Sequence, residues 1–80
     1  MRYTLIESSA TIQAASAAMR DRDADALLVL EADGAEPRAM AVIFASDIVT
    51  RVVALGLDPR VLTVSDLAAV IDAVSERATP

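Results

Sequence analysis

Apolar and polar positions change period several times along these 80 residues, and each change marks an element. Tyr3 to Ile6 is a short β-prone segment. In TIQAASAAMRD, Ile12, Ala15 and Met19 then fall on one helical face, a narrow stripe that lets a helix lie close to a sheet, with Thr11 as its cap. Alternating charge from Arg20 to Asp25 ends that helix. The apolar run Ala26 to Leu30 reads as a central strand covered on both faces. In EADGAEPR, Asp33 and Gly34 signal a turn and Pro37 stops pairing on one side. Strands two and three should therefore form an antiparallel hairpin, with a loop longer than the tightest kind.

The sharpest change of period lies in AMAVIFASDIVTRVVALG. The run Ala39 to Ala45 is too short for a free helix or a membrane span and suits a buried strand. From Ser46 onward Ile48, Val52 and Leu55 recur at helical spacing, flanked by Val49 and Val53, and Gly56 supplies the stop. Ser46 and Asp47 sit where strand gives way to helix. First-turn amides lack partners there, and the helix dipole favours an anionic group. After a turn at Leu57, Asp58 and Pro59, Thr63 and Asp66 form a capping-box pair ahead of a last helix of about residues 64–76. Leu67, Val70, Ile71 and Val74 should line its buried face, with a frayed tail from Ser75. The element order is β-α-β-β-α plus a terminal helix, an α+β chain in one domain spanning residues 1–80.

Composition adds a problem of coverage. Hydrophobic residues make up 55% of the chain, yet it has one Tyr, one Phe and no Trp. The apolar content is therefore Ala, Val, Leu and Ile, and a domain this small buries only about 60% of the surface its unfolded chain exposes. Some apolar surface should stay uncovered in a monomer, which implies a homodimer or docking to a regulated partner protein. Seven basic against twelve acidic residues leave a net charge of −5, which repels nucleic acid.

Histidine and cysteine are both absent. That removes disulfides, thiolate nucleophiles, imidazole bases and the usual zinc ligands. With no catalytic residue to nominate and no metal site or required cofactor, the chain reads as non-enzymatic. Asp21, Asp23 and Asp25 imitate the start of a calcium loop, but Ala26 and Ala32 stand where that loop needs glycine and glutamate, so the run reads as a solvated helix end. MRYTLIESSA lacks the apolar core of a signal peptide, and no stretch is long enough to span a bilayer. The expectation is a cytoplasmic protein.

Three stretches carry a family resemblance: Thr11 to Met19, Ala26 to Gly34 and, most specifically, Ala41 to Pro59. Together they make the chain resemble a single CBS domain, the module first described in cystathionine β-synthase, with its core at about residues 3–59. The resemblance implies a three-stranded mixed sheet carrying two helices, with the C-terminal helix additional. It further implies half of a Bateman module, in which paired domains bind AMP, ATP or S-adenosylmethionine as regulatory ligands in the cleft between them.

The family signature is a glycine, a Thr or Ser three positions on, and an Asp three further. Here those positions are Ala41, Phe44 and Asp47, and only the last matches. By resemblance Asp47 takes the ribose hydroxyls; on its own chemistry it stabilises a helix start. Phe44 either fills the cleft or stacks on a base, and Ser46 offers a hydroxyl. Arg51, one turn on, either reaches a phosphate or pairs with Asp47. The expectation is a homodimerising sensor of weak nucleotide affinity; the alternative is a structural interaction domain whose cleft Phe44 fills.

Overall fold

In the computed structural model, residues 1–33 and 36–78 are described, with side chains described for residues 1–31 and 36–72. Strand β1, Tyr3–Glu7, leads into helix α1, Ile12–Arg22. Strands β2, Ala26–Asp33, and β3, Glu36–Phe44, follow, then a short helix α2, Ala45–Ile48, that continues as a π-helical turn over Val49–Val53. Helix α3, Val64–Ala78, closes the chain. The sheet order is β1-β2-β3, with β1 parallel to β2 and β3 antiparallel to it. This is the mixed three-stranded α+β arrangement that the resemblance implied.

Local chemistry accounts for the helix ends. The Thr11 hydroxyl accepts from the Ala14 amide at 3.1 Å, satisfying one of the first-turn donors. At the other end Asp23 adopts a left-handed conformation (φ 52°) and the Ala24 amide donates to the Met19 carbonyl at 2.8 Å, a turn that Asp tolerates better than most side chains. The Thr63–Asp66 pair closes a full capping box on α3: Asp66 N–H donates to Thr63 Oγ1 and Thr63 N–H to Asp66 Oδ2, both at 3.1 Å. Amides of Ile12 and Val64 donate to the Leu62 and Ala10 carbonyls, tying the starts of α1 and α3 together.

Ile12, Ala15 and Met19 of α1 pack with Leu27, Val29 and Ile43 of the sheet, Ile48 and Val52 beyond it, and Val64, Leu67 and Ala68 of α3. Burying each large aliphatic side chain contributes about 1.5–3 kcal/mol. All these helical residues lie on one side of the sheet, so β2 is central but covered on one face, not both. Leu28 and Leu30, on the other face, stay half-buried.

Several further expectations are corrected. Leu55 is exposed, because the π-turn bonds Ala54 N–H to Val49 C=O and Leu57 N–H to Val52 C=O, and each such closure spans one residue more than an α-turn, rotating Leu55 off the stripe. In α3 the buried positions are Val64, Leu67 and Ala68, while Val70 is exposed; Val74 lies outside the described side chains. Ser75 to Ala78 are helical, not frayed. Asp33 pairs with Glu36, so the hairpin connection is shorter than expected; Gly34 itself lies outside the described residues.

Candidate functional site at the strand-to-helix junction

β3 delivers Phe44 to the edge of the helical layer in an extended conformation (φ −90°, ψ 155°), where it caps α2. Ala45 N–H donates to the Asp25 carbonyl at 2.9 Å, holding the junction to the start of β2. Asp47, in the first helical turn, folds back so that its Oδ2 accepts from the Phe44 amide at 2.9 Å. Phe44 has no side-chain acceptor to return the bond, so only half of a reciprocal cap is made. Oδ1 faces the Arg51 Nε, one turn on, at 3.8 Å, with the two side chains 22% and 31% exposed. That separation is an ion pair and too long for a hydrogen bond. Arg51 Nε is buried and makes no hydrogen bond. Thr50 Oγ1 donates to the Ser46 carbonyl at 2.8 Å, and the Ser46 side chain is exposed.

The structure therefore brings Phe44, Asp47 and Arg51 into one contact chain, with Ser46 beside it. The Asp47 carboxylate is partly spent on the helix start, but Oδ1 retains acceptor capacity, since a carboxylate offers about four lone-pair sites. Ala41 belongs with the half-buried residues packed against the core, so its methyl lies on the helix side of the sheet and leaves the other face unaffected.

That other face is what the sequence reading did not identify. Tyr3, Leu5, Val42 and Phe44 are 61%, 57%, 48% and 42% exposed, alongside Met40, Leu28 and Leu30. The register sets Tyr3 opposite Ala26 and Ala26 opposite Phe44, then Leu5 opposite Leu28 and Leu28 opposite Val42. A β-bulge after Val29 admits Met40 at the far end. A hollow of about 290 Å³ opens on this face, walled by Met1, Tyr3, Leu28 and Val42. The available signal was that β1 and β3 are apolar at both parities, whereas a strand with one solvated face alternates. A further hollow of about 320 Å³ between α1 and α2, lined by Ser16, Met19, Ala24, Ala45 and Ile48 among others, does not include Asp47.

Among solved structures, a cystathionine β-synthase domain protein fused to a Zn-ribbon-like domain superposes with a TM-score of 0.72 at 21% identity, over 84% of this chain and 90% of that one. Its likeness shows the fold. Hypoxic Response Protein I, solved with two coordinated zinc ions, superposes with a TM-score of 0.68 at 34% identity over 81% of this chain. The chain folds as a single CBS domain. It spans 50% of the length of Hypoxic Response Protein I. No protein-family model matches the chain, and no curated protein shows a significant match.

Within this fold the acidic run behaves as a helix end. Asp21 pairs with Arg20 at 3.2 Å and Asp23 with Arg2 at 3.0 Å, all four exposed; such surface pairs contribute about 0–1 kcal/mol each. Among the described residues no group of three or more potential metal ligands converges. No helix among the described residues is long and apolar enough to cross a membrane.

Proposed function

We propose that this CBS domain is a non-enzymatic regulatory module that self-associates through the open face of its sheet, two copies forming a Bateman-type pair. An adenosine nucleotide (AMP, ATP or S-adenosylmethionine) binds weakly in the cleft between them. The observation that carries the reading is the uncovered row of aliphatic and aromatic side chains on that face. The chain exposes 5411 Å², against about 4,600 Å² for a typical folded monomer of this size.

At the junction, the ribose hydroxyls donate to Asp47 Oδ1 and the phosphate approaches the outer nitrogens of the Arg51 guanidinium, whose Nε is itself buried against Asp47. Phe44 in place of a hydroxyl residue removes one ligand contact, so affinity is modest. Sedimentation equilibrium tests the pairing: a concentration-dependent dimer is expected, and a monomer throughout the accessible range overturns it. Thermal shift with AMP, ATP and S-adenosylmethionine tests the ligand. A nucleotide at one hundred times its Kd stabilises by about 2.7 kcal/mol, and that shift should be lost in Asp47→Ala.

One observation favours a second reading. The Phe44 amide already holds Asp47 Oδ2 at 2.9 Å, the arrangement of a residue that serves the helix alone. On that reading the chain is a structural interaction domain in which Phe44 fills the cleft after pairing. A dimer that shifts with none of the three nucleotides is its signature.

A further inference from the structure

In a chain without cysteine every sulfur atom is a thioether, and here there are three, at Met1, Met19 and Met40. Their surroundings differ. Met19 is 7% exposed within the core, whereas Met1 and Met40 are 84% and 39% exposed. Oxidation turns a flexible apolar methionine into a polar sulfoxide, and an exposed sulfur meets the oxidant before a buried one does. The core sulfur is thus shielded and the two outer ones are not.

Met40 owes its place to the irregularity in the hairpin. In the register of β2 and β3, Val29 is opposite Ala41 and Leu30 is opposite Ala39, so Met40 is the extra residue of the bulge, without a partner on β2. A bulge re-aims the side chain it carries. Alternation along β3 puts Met40 on the face of Val42 and Phe44, and Ala39 shares that face through its pairing with Leu30. The thioether therefore ends the open face among alanine, valine and leucine. Met1 stands away from it, walling the hollow with Tyr3, Leu28 and Val42.

We propose that Met40 is an oxidation site through which peroxide controls the pairing of two copies, an assignment that rests on the pairing reading above. In the single chain its sulfur is open to solvent; in the pair a second copy lies over it. A lone pair of the sulfur attacks one oxygen of hydrogen peroxide, the O–O bond breaks and the S–O bond of the sulfoxide forms. Sulfur gives up two electrons. The departing hydroxide takes the proton of the transferred oxygen and leaves as water. The sulfoxide is polar where the seam is apolar, and burying it without a hydrogen-bond donor opposes association. A two-fold pair holds the site twice, so the effect is counted on both sides. Thiol-dependent methionine sulfoxide reductases return the sulfur to the thioether. Pairing and oxidation thus oppose each other: a paired chain is protected, and an oxidised chain stays single.

The experiment treats the full chain with hydrogen peroxide and locates the sulfoxides by peptide mass spectrometry. Sedimentation equilibrium is run before treatment, after it, and after incubation with a dithiol and reductases for both sulfoxide epimers. Oxidation at Met40 is expected to raise the dissociation constant at least about tenfold, the reductases to restore it, and the circular dichroism spectrum to stay unchanged. Met40→Leu keeps an aliphatic side chain without sulfur, so it should pair like the unaltered chain and continue to pair after the same treatment. Met1 is present in both chains, which isolates Met40. The rate of Met40 oxidation, referred to free methionine in the same solution, should fall as the chain concentration rises through the dissociation constant. If Met40 carries the sulfoxide and pairing is unchanged, or if treated Met40→Leu dissociates as far as the treated unaltered chain, the assignment is overturned and the pairing reading stands. Loss of the circular dichroism signal on treatment places the damage in the core and overturns it as well. If the untreated chain is a monomer at every accessible concentration, both fall.

Discussion

Asp47 has two calls on one carboxylate, and their balance is measurable at the level of a single residue. Its bond to the Phe44 amide serves a helix start, where replacing a capping side chain by Ala costs about 0.5–2 kcal/mol. In a domain of this size a loss of about 1 kcal/mol lowers Tm by roughly 4–8 °C. Asp47→Ala should therefore melt earlier without any ligand present, and Asp47→Asn, which keeps an acceptor oxygen, should recover part of the loss. Arg51→Ala should change ligand-free stability little, because its 3.8 Å contact with Asp47 is partly exposed and unsupported by a hydrogen bond; differential scanning calorimetry on the three variants separates these effects. Asp58 presents a simpler case. Arg60 donates its amide and its guanidinium to the Asp58 carboxylate, and these bonds hold the carboxyl below its ordinary value while raising Arg60. A carboxyl depressed in the folded state supports folding above its unfolded pKa, and the support is lost as pH falls through the lower folded value. The pair lies at the surface, where solvent screens it, so the effect on stability is small. The checkable outcome is a carboxyl resonance of Asp58 that titrates at a lower pH than a free aspartate and moves upward in Arg60→Ala.

Among the elements, those with local chemical causes were the legible ones. Thr11 and the Thr63–Asp66 box could be read directly, since a cap is decided within one turn. The strands' places followed from short apolar runs, but β2 continues to Asp33 and β3 starts at Glu36, and β3, expected to be buried over Ala39 to Ala45, is exposed along most of its length and gives way to helix at Ala45. Leu55 and Val70 were misassigned for different reasons. For Leu55 the added residue of the π-turn shifts the phase of the helix, and no apolar spacing announces it. For Val70, position 68 is a buried alanine, so the buried stripe of α3 runs Val64, Leu67, Ala68 and the half-buried Ile71. An alanine that packs looks the same in sequence as one that faces water. At the site, Asp47 was legible because a helix start after a strand favours an acid, whereas the row that joins Tyr3 to Phe44 depends on register across three strands. The element-scale prediction follows from α3. Leu67→Ala should cost about 2–5 kcal/mol as a buried aliphatic truncation, while Val70→Ala should stay within about 0.5 kcal/mol; urea midpoints with unchanged slopes test the contrast.

For the whole molecule the proposed pairing turns on which face would meet a second copy, since apolarity alone does not decide it. A strand that is apolar at both parities reads in sequence like one covered twice by its own fold, which is why β2 was expected to be enclosed, whereas the structure covers one face and leaves the other open. The helical layer also shows exposed aliphatics, Val49 and Val53 among them, but these stand on one short segment, whereas Leu5, Leu28 and Val42 form a continuous row across three strands. A two-fold pair presents the same patch from both partners, so a substitution in it enters the interface twice. Val42→Lys would place two like charges in an apolar seam, where such juxtaposition costs several kcal/mol, and the dissociation constant should rise by a factor of at least about 100, which is about 2.7 kcal/mol. Because Val42 is 48% exposed in the single chain, the ammonium reaches water in the monomer and the fold should survive, visible as an unchanged circular dichroism spectrum. Val49→Lys, on the helical side, should leave sedimentation unaltered. If the second variant dissociates the pair and the first does not, the copies meet through their helices, and the row from Tyr3 to Phe44 remains open to solvent in the assembly.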